Sequence, residues 1–131
     1  MLMSTSSEMT ENEVQMKEDA LKMVNAAIRA VDPNVAVRDR LMVEFDKDQP
    51  KLVAKAEKEL VYGLSDYDNI RIISFGKASA AMALAAAEVL SDSLSQADIP
   101  VPAIDGIVII KDAHATDEDI KLLNEKHNIV V

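Results

Sequence analysis

Ile70-Arg71-Ile72-Ile73-Ser74-Phe75-Gly76-Lys77-Ala78-Ser79-Ala80-Ala81-Met82-Ala83 is the stretch in which a strand hands over to a helix. Ile70 to Phe75 is a short β-branched run, the pattern of a buried strand. Gly76 breaks it, and Lys77 to Leu94 follows as an alanine-rich helix with Ala78, Met82, Ala86 and Val89 on one side. So many small side chains imply close packing of helix on sheet. After a polar, proline-containing loop, Ser95 to Pro102, the run Ile104 to Ile110 reads as a second strand, almost uninterrupted in its apolarity. Such runs belong to parallel strands covered on both faces. Thr116 with Asp119 starts a short helix carrying Ile120, Leu122 and Leu123, and Ile129-Val130-Val131 begins a third strand. The order over 69–131 is βαβαβ, so the fold class expected is α/β: a Rossmann-like, doubly wound unit with a short parallel sheet.

Upstream of that unit the sequence predicts a helical cap over 10–63. Residues 1–9 read as a polar tail; Met1 to Glu8 lacks the positive and apolar regions of a signal peptide. Thr10-Glu11-Asn12-Glu13 has capping-box spacing, and Leu21, Val24, Ile28 and Val31 continue at helical intervals. Asp32-Pro33 ends this helix and opens a second, with Val37, Leu41 and Phe45 as its buried face. Asp48 or Gln49 before Pro50 repeats the signal for a third, faced by Leu52, Val53, Ala56 and Leu60, with Gly63 as its stop. Three N-terminal helices and one βαβαβ unit thus make a single domain over 10–131. The chain stops inside an apolar strand, and open sheet edges invite pairing. The expectation is a partial chain, or a homo-oligomer formed through the open sheet edge.

Composition narrows the partners. A formal charge of −9 argues against nucleic-acid binding, which needs clustered Lys and Arg. No stretch approaches the ~20 apolar residues of a membrane span. The chain has no cysteine, which rules out disulfides and zinc-thiolate sites and fits a cytoplasmic setting. With two Phe, two Tyr and no Trp, the core must be aliphatic.

Lys77 stands out by position. It follows a strand and a glycine at the first turn of a helix, on the carboxyl edge of the predicted sheet, where open α/β sheets bind ligands. A cation beside the positive end of a helix costs ~0.3–1 kcal/mol unless an anion sits nearby. That suggests a phosphate or carboxylate site, in which Gly76 lets the backbone approach and the amides of Ala78 and Ser79 help hold the anion. The bland alternative is a solvated lysine. The chain has neither a Walker motif nor a glycine-x-glycine-x-x-glycine turn, since its only glycines are Gly63, Gly76 and Gly106.

The segment Ile72 to Ala83 resembles the strand–Gly-Lys-Ala–x–x–x–Met-Ala element of the glycerate 2-kinase family, whose C-terminal part is called MOFRL. Ala26-Ala27-Ile28-Arg29-Ala30-Val31-Asp32-Pro33 and Asp105-Gly106-Ile107-Val108-Ile109-Ile110-Lys111 agree with its flanking segments. The resemblance covers about residues 17–131, the first third of such an enzyme. It implies an ATP-dependent transfer of phosphate to a glycerate hydroxyl, with ATP and Mg²⁺ as cofactors of the complete enzyme and this segment inactive alone. It also implies a catalytic role for Lys77 in neutralising phosphate or glycerate charge. Where the family shows Gly-His after the second strand, this chain has Ala113-His114.

His114 lies near the same sheet edge as Lys77 and is a weaker ligand candidate; capping the following helix is the plainer role. His127, beside Lys126 at a helix end, reads as structural, in a place that favours positive charge. Asp112, Asp117, Glu118 and Asp119 match no calcium loop and fit first-turn helix acids, so no metal ligand is assigned. Two rival functions remain: a non-catalytic association module, and a hydroxypyruvate reductase. The absent glycine fingerprint speaks against the reductase.

Overall fold

The computed structural model describes residues 8–131. The chain divides into two compact units, 1–32 and 33–131. Of the expected polar tail, residues 1–7 lie outside the described residues; Glu8 and Met9 are exposed.

The first unit is helix α1, Glu11–Ala30. Its capping box forms as predicted: the Thr10 N–H donates to Glu13 Oε2 at 2.8 Å, and the Glu13 N–H donates to Thr10 Oγ1 at 3.3 Å. The apolar stripe is present but not buried. No residue of α1 is buried.

The second unit starts with α2, Pro33–Arg38, whose proline sits at the first helical position. Here the expected helical cap ends. Residues 41–63 form an antiparallel meander of β1 (Leu41–Asp46), β2 (Gln49–Lys55) and β3 (Glu59–Gly63), not the rest of a second helix and a third. The turn chemistry decides it. Lys47 (φ 50°) and Asp48 (φ 65°) are both left-handed, which makes the two-residue loop a type I′ hairpin turn. That turn pairs Asp46 with Gln49 and runs β2 back along β1. Pro50, read from sequence as a helix starter, lies fully buried near the start of β2. Pairing with β3 begins only at Lys51, so no partner there needs the N–H that Pro50 lacks.

A short 3₁₀ turn, Leu64–Asp66, leads into β4, Asn69–Phe75. Then come α3 (Ser79–Leu94), β5 (Ala103–Ile109), α4 (Asp117–Lys121, continued by a π turn over Leu122–Lys126) and β6 (Ile129–Val130). The three strands are parallel in the order β4-β5-β6. The expected alternation of strands and helices over 69–131 is therefore present, in a mixed α/β fold with one parallel and one antiparallel sheet. The parallel strands run in sequence order.

α3 is central. Ala80, Ala83, Leu84 and Ala87 pack with Val108, Leu123 and Ile129 to form the core on one face of the parallel sheet. Fully burying a Leu or Ile contributes about 1.5–3 kcal/mol, so Leu123 and Ile129 fasten the last segment firmly. The buried face of α3 is not the expected one: Ala78 and Met82 are exposed. A helix apolar on almost every side gives periodicity nothing to choose with. Gly106 allows β4 and β5 to approach, since a Cβ there would lie 2.2 Å from the Ile72 carbonyl oxygen. The expectation of cover on both faces fails: Ile73, Phe75, Ile107, Ile109 and Val130 are all exposed.

Candidate functional site

At the carboxyl edge of the parallel sheet, the turns leaving β4 and β5 lie side by side. The first turn depends on Gly76, whose φ of 113° is closed to most L side chains. The Gly76 N–H donates to the Ile109 carbonyl at 3.3 Å, and the Ser79 N–H returns to the Gly76 carbonyl at 3.2 Å. Lys77 and Ala78 fill this turn, and α3 begins at Ser79, two residues later than the sequence suggests. Gly76, Lys77 and Ala78 are all exposed.

Ser79 differs. It is 2% exposed, its Oγ donates to the Ile109 carbonyl at 3.4 Å, and its own carbonyl accepts from Ser74 Oγ at 2.9 Å. This side chain ties the turn to β5, so what Ser79 can offer an anion is limited to its backbone surroundings. The N-cap residue of α3 is Ala78, which has no side-chain oxygen. The first-turn N–H groups of Ala80 and Ala81 therefore lack a side-chain cap, the condition that gives a helix start its affinity for anions.

The second turn brings His114. Ala113 takes a φ of 65°, a left-handed position that glycine would occupy without strain. The His114 N–H donates to the Lys111 carbonyl at 3.2 Å, leaving its exposed imidazole outside any hydrogen bond among the described residues. His114 does not cap the next helix. Thr116 does, accepting from the Asp119 N–H at 3.1 Å.

The two turns enclose an open cavity of about 510 Å³, lined among others by Lys77, Ala81, His114, Thr116 and Asp119. Lys77 makes no ion pair or hydrogen bond among the described residues, although Asp119 lines the same cavity. The structure thus gathers Lys77, Ala78 and His114 around one space, while Gly76, in the turn that carries Lys77, and the buried Ser79 are not on its lining. Sequence reasoning missed Thr116 and Asp119 as lining residues. Their signal was available: a capped helix start directly after a strand must also lie at the carboxyl edge.

His127 lies elsewhere. It is 4% exposed, and burial pushes its imidazole below the usual value of 6.5, with Lys126 adding to the effect. Burial, not the helix end, sets the direction of its shift. Among the described residues, no three His, Asp or Glu side chains gather as metal ligands, and no helix is long and apolar enough to cross a membrane.

Residues 19–130 match the profile of a protein family described as a domain of unknown function, DUF4147. Neither a curated protein nor a solved structure matches the chain.

Proposed function

The chain belongs to the DUF4147 family, and on that premise we propose that it is the N-terminal, Rossmann-like part of an ATP-dependent glycerate kinase in which Lys77 meets an anionic group of the substrates. The observation behind this reading is the unpaired Lys77 ammonium at the cavity between the β4 and β5 turns. The Gly-Lys-Ala element that resembles the glycerate 2-kinase family falls inside the matched span.

The surroundings of Lys77 fit one phosphate or carboxylate. They offer a cation, uncapped helix N–H groups and an exposed imidazole. Among the described residues the lining carries Lys77 and His114 and no Phe, Tyr or Trp, which suits a charged group. Asp119 is the one carboxylate on the lining among the described residues, too little for a protein cage around Mg²⁺, which would arrive with the nucleotide phosphates. ATP, when bound, supplies the phosphoryl group. The work left to the protein is mostly positioning and charge, because the transferring group carries its charge on peripheral oxygens. Lys77 would hold one such oxygen or the glycerate carboxylate, and the N–H groups of Ala80 and Ala81 would share the load.

In the complete enzyme, Lys77→Ala is expected to lower phosphoglycerate formation by about 10²–10³-fold, as when a preorganised donor is removed. Its melting curve should superimpose on that of the parent, because the side chain is exposed and unpaired. Turnover near the parent's would take Lys77 out of the mechanism. NADH consumption with hydroxypyruvate, but no ADP release with glycerate, would move the family reading to a reductase.

One observation favours a second reading, a module that self-associates through its sheet: the exposed Ile73, Phe75, Ile107 and Ile109 share the uncovered face. Light scattering on this chain should then report a dimer or larger. A monomer at high concentration would count against association.

A further inference from the structure

The last segment of the parallel sheet is seated by three buried side chains. Leu123 and Ile129 are fully buried, and between them His127 is 4% exposed. The π turn over Leu122–Lys126 adds a residue to the helical repeat, and Asn128, with a φ of 55°, turns the chain into β6. Such widened turns recur at functional positions. Asn124 Oδ1 accepts from the Val131 N–H at 3.3 Å and binds the π turn to the strand.

His127 Nε2 is buried and has no hydrogen-bond partner among the described residues. A neutral ring tolerates this at modest cost, but a protonated ring would bury an N–H⁺ with no acceptor. The charged groups facing it give incomplete relief. Glu88 and Asp92 on α3 favour the cation, yet Glu88 is engaged by Arg38, and Lys126 opposes it. Beside the ring lies an open cavity of about 330 Å³, walled by Leu94, Val101, Pro102 and Ile104. The ring therefore has room to leave its seat without disrupting the core of α3.

We propose that His127 is an acid-sensitive latch: its neutral imidazole seats the 122–131 segment on α3 and β5, and its protonation releases that segment while the rest of the unit stays folded. The sign follows from the burial. A seated ring prefers to be neutral, so the closed state is favoured above the ordinary pKa of 6.5 and loses ground as pH falls below it. The latch stands whether or not the glycerate kinase reading holds, because its test reads backbone opening and not turnover.

The experiment is amide hydrogen exchange by NMR on the whole chain between about pH 5 and 7.5, corrected for intrinsic rates. Opening at Leu123 and Val130 should increase by up to about tenfold per pH unit below 6.5, while Ile72 and Ser74 in β4 keep their protection. His127→Leu and His127→Gln should both flatten that dependence. If the leucine variant does not fold, the glutamine variant alone decides. A flat profile in the parent overturns the latch. So does equal loss at β4, an unchanged dependence in His127→Gln, or a His127 imidazole that titrates at its ordinary value in the folded chain.

Discussion

The two ends of the parallel sheet handle charge in opposite ways. Toward the amino end, Arg71 Nε and Nη2 donate to Asp105 Oδ1 and Oδ2 at 2.7 and 3.0 Å, and Asn69 Nδ2 adds a bond at 3.0 Å. There the polar groups are committed to one another. At the carboxyl end, Lys77 and His114 have no such partners among the described residues, the helix start has no side-chain cap, and Gly76 and Ala113 hold left-handed backbones. Across β4 and β5, unused side-chain donors lie at the carboxyl edge while the polar groups at the amino end bond one another; where β6 begins, His127 and Asn128 depart from that pattern.

The largest expected effect would break this comparison by removing the platform that both ends share. Gly106 sits opposite Ile72, and an added Cβ would meet a backbone carbonyl that no rotamer change can move. Gly106→Ala is expected to destabilise the unit by about 1–3 kcal/mol or more, read as a lower denaturation midpoint at unchanged slope. A midpoint equal to the parent's would mean that the strands can part freely, and the fixed geometry between the two ends would be lost with it.

A smaller, reciprocal pair of substitutions sharpens the contrast at the carboxyl end. Gly76→Ala meets no neighbouring atom but forces a side chain onto a φ of 113°, at a cost of about 1–3 kcal/mol. Ala113→Gly relieves a φ of 65° and should stabilise by up to about 1 kcal/mol, after the extra freedom of glycine in the unfolded chain is subtracted. Chemical denaturation of both variants checks the signs. A destabilised Ala113→Gly would show that the left-handed turn carries no strain.

What could be seen in the sequence depended on how local the deciding physics was. Ile70 to Phe75, Gly76 and the alanine run announce a strand, a turn and a helix through residues in direct succession, and the carboxyl-edge rule then places Lys77 and His114. The meander was hidden because Leu41 and Phe45 fit two patterns. With Val37 they space as a helix face, and with Val43 they alternate as a strand. The turn that settles the matter uses Lys47 and Asp48 in left-handed conformations without a glycine to mark it. His127 was equally hidden: its burial comes from a π turn and from packing on α3, which no neighbouring residue encodes. The uncovered face of β4 and β5 was hidden for a similar reason, since an apolar run does not say which of its sides will find cover.

The smallest effect concerns the Arg71–Asp105 pair at the amino end of β4 and β5. The hydrogen bond from Arg71, then that from Asn69, hold the Asp105 carboxyl down to about 2. Because the folded value is depressed, the contribution of Asp105 to stability is present above its ordinary 3.8 and is lost as pH falls through about 2. Both partners lie near the surface, so screening keeps that contribution small and makes it fade with added salt. Arg71→Ala should therefore leave stability at neutral pH almost unchanged, while the Asp105 carboxyl resonance titrates closer to 3.8. If Asp105 already titrates at 3.8 in the parent, its oxygens are not committed to Arg71 and Asn69. The amino end would then hold unused charge as well, and Lys77 would no longer be set apart by being unpaired.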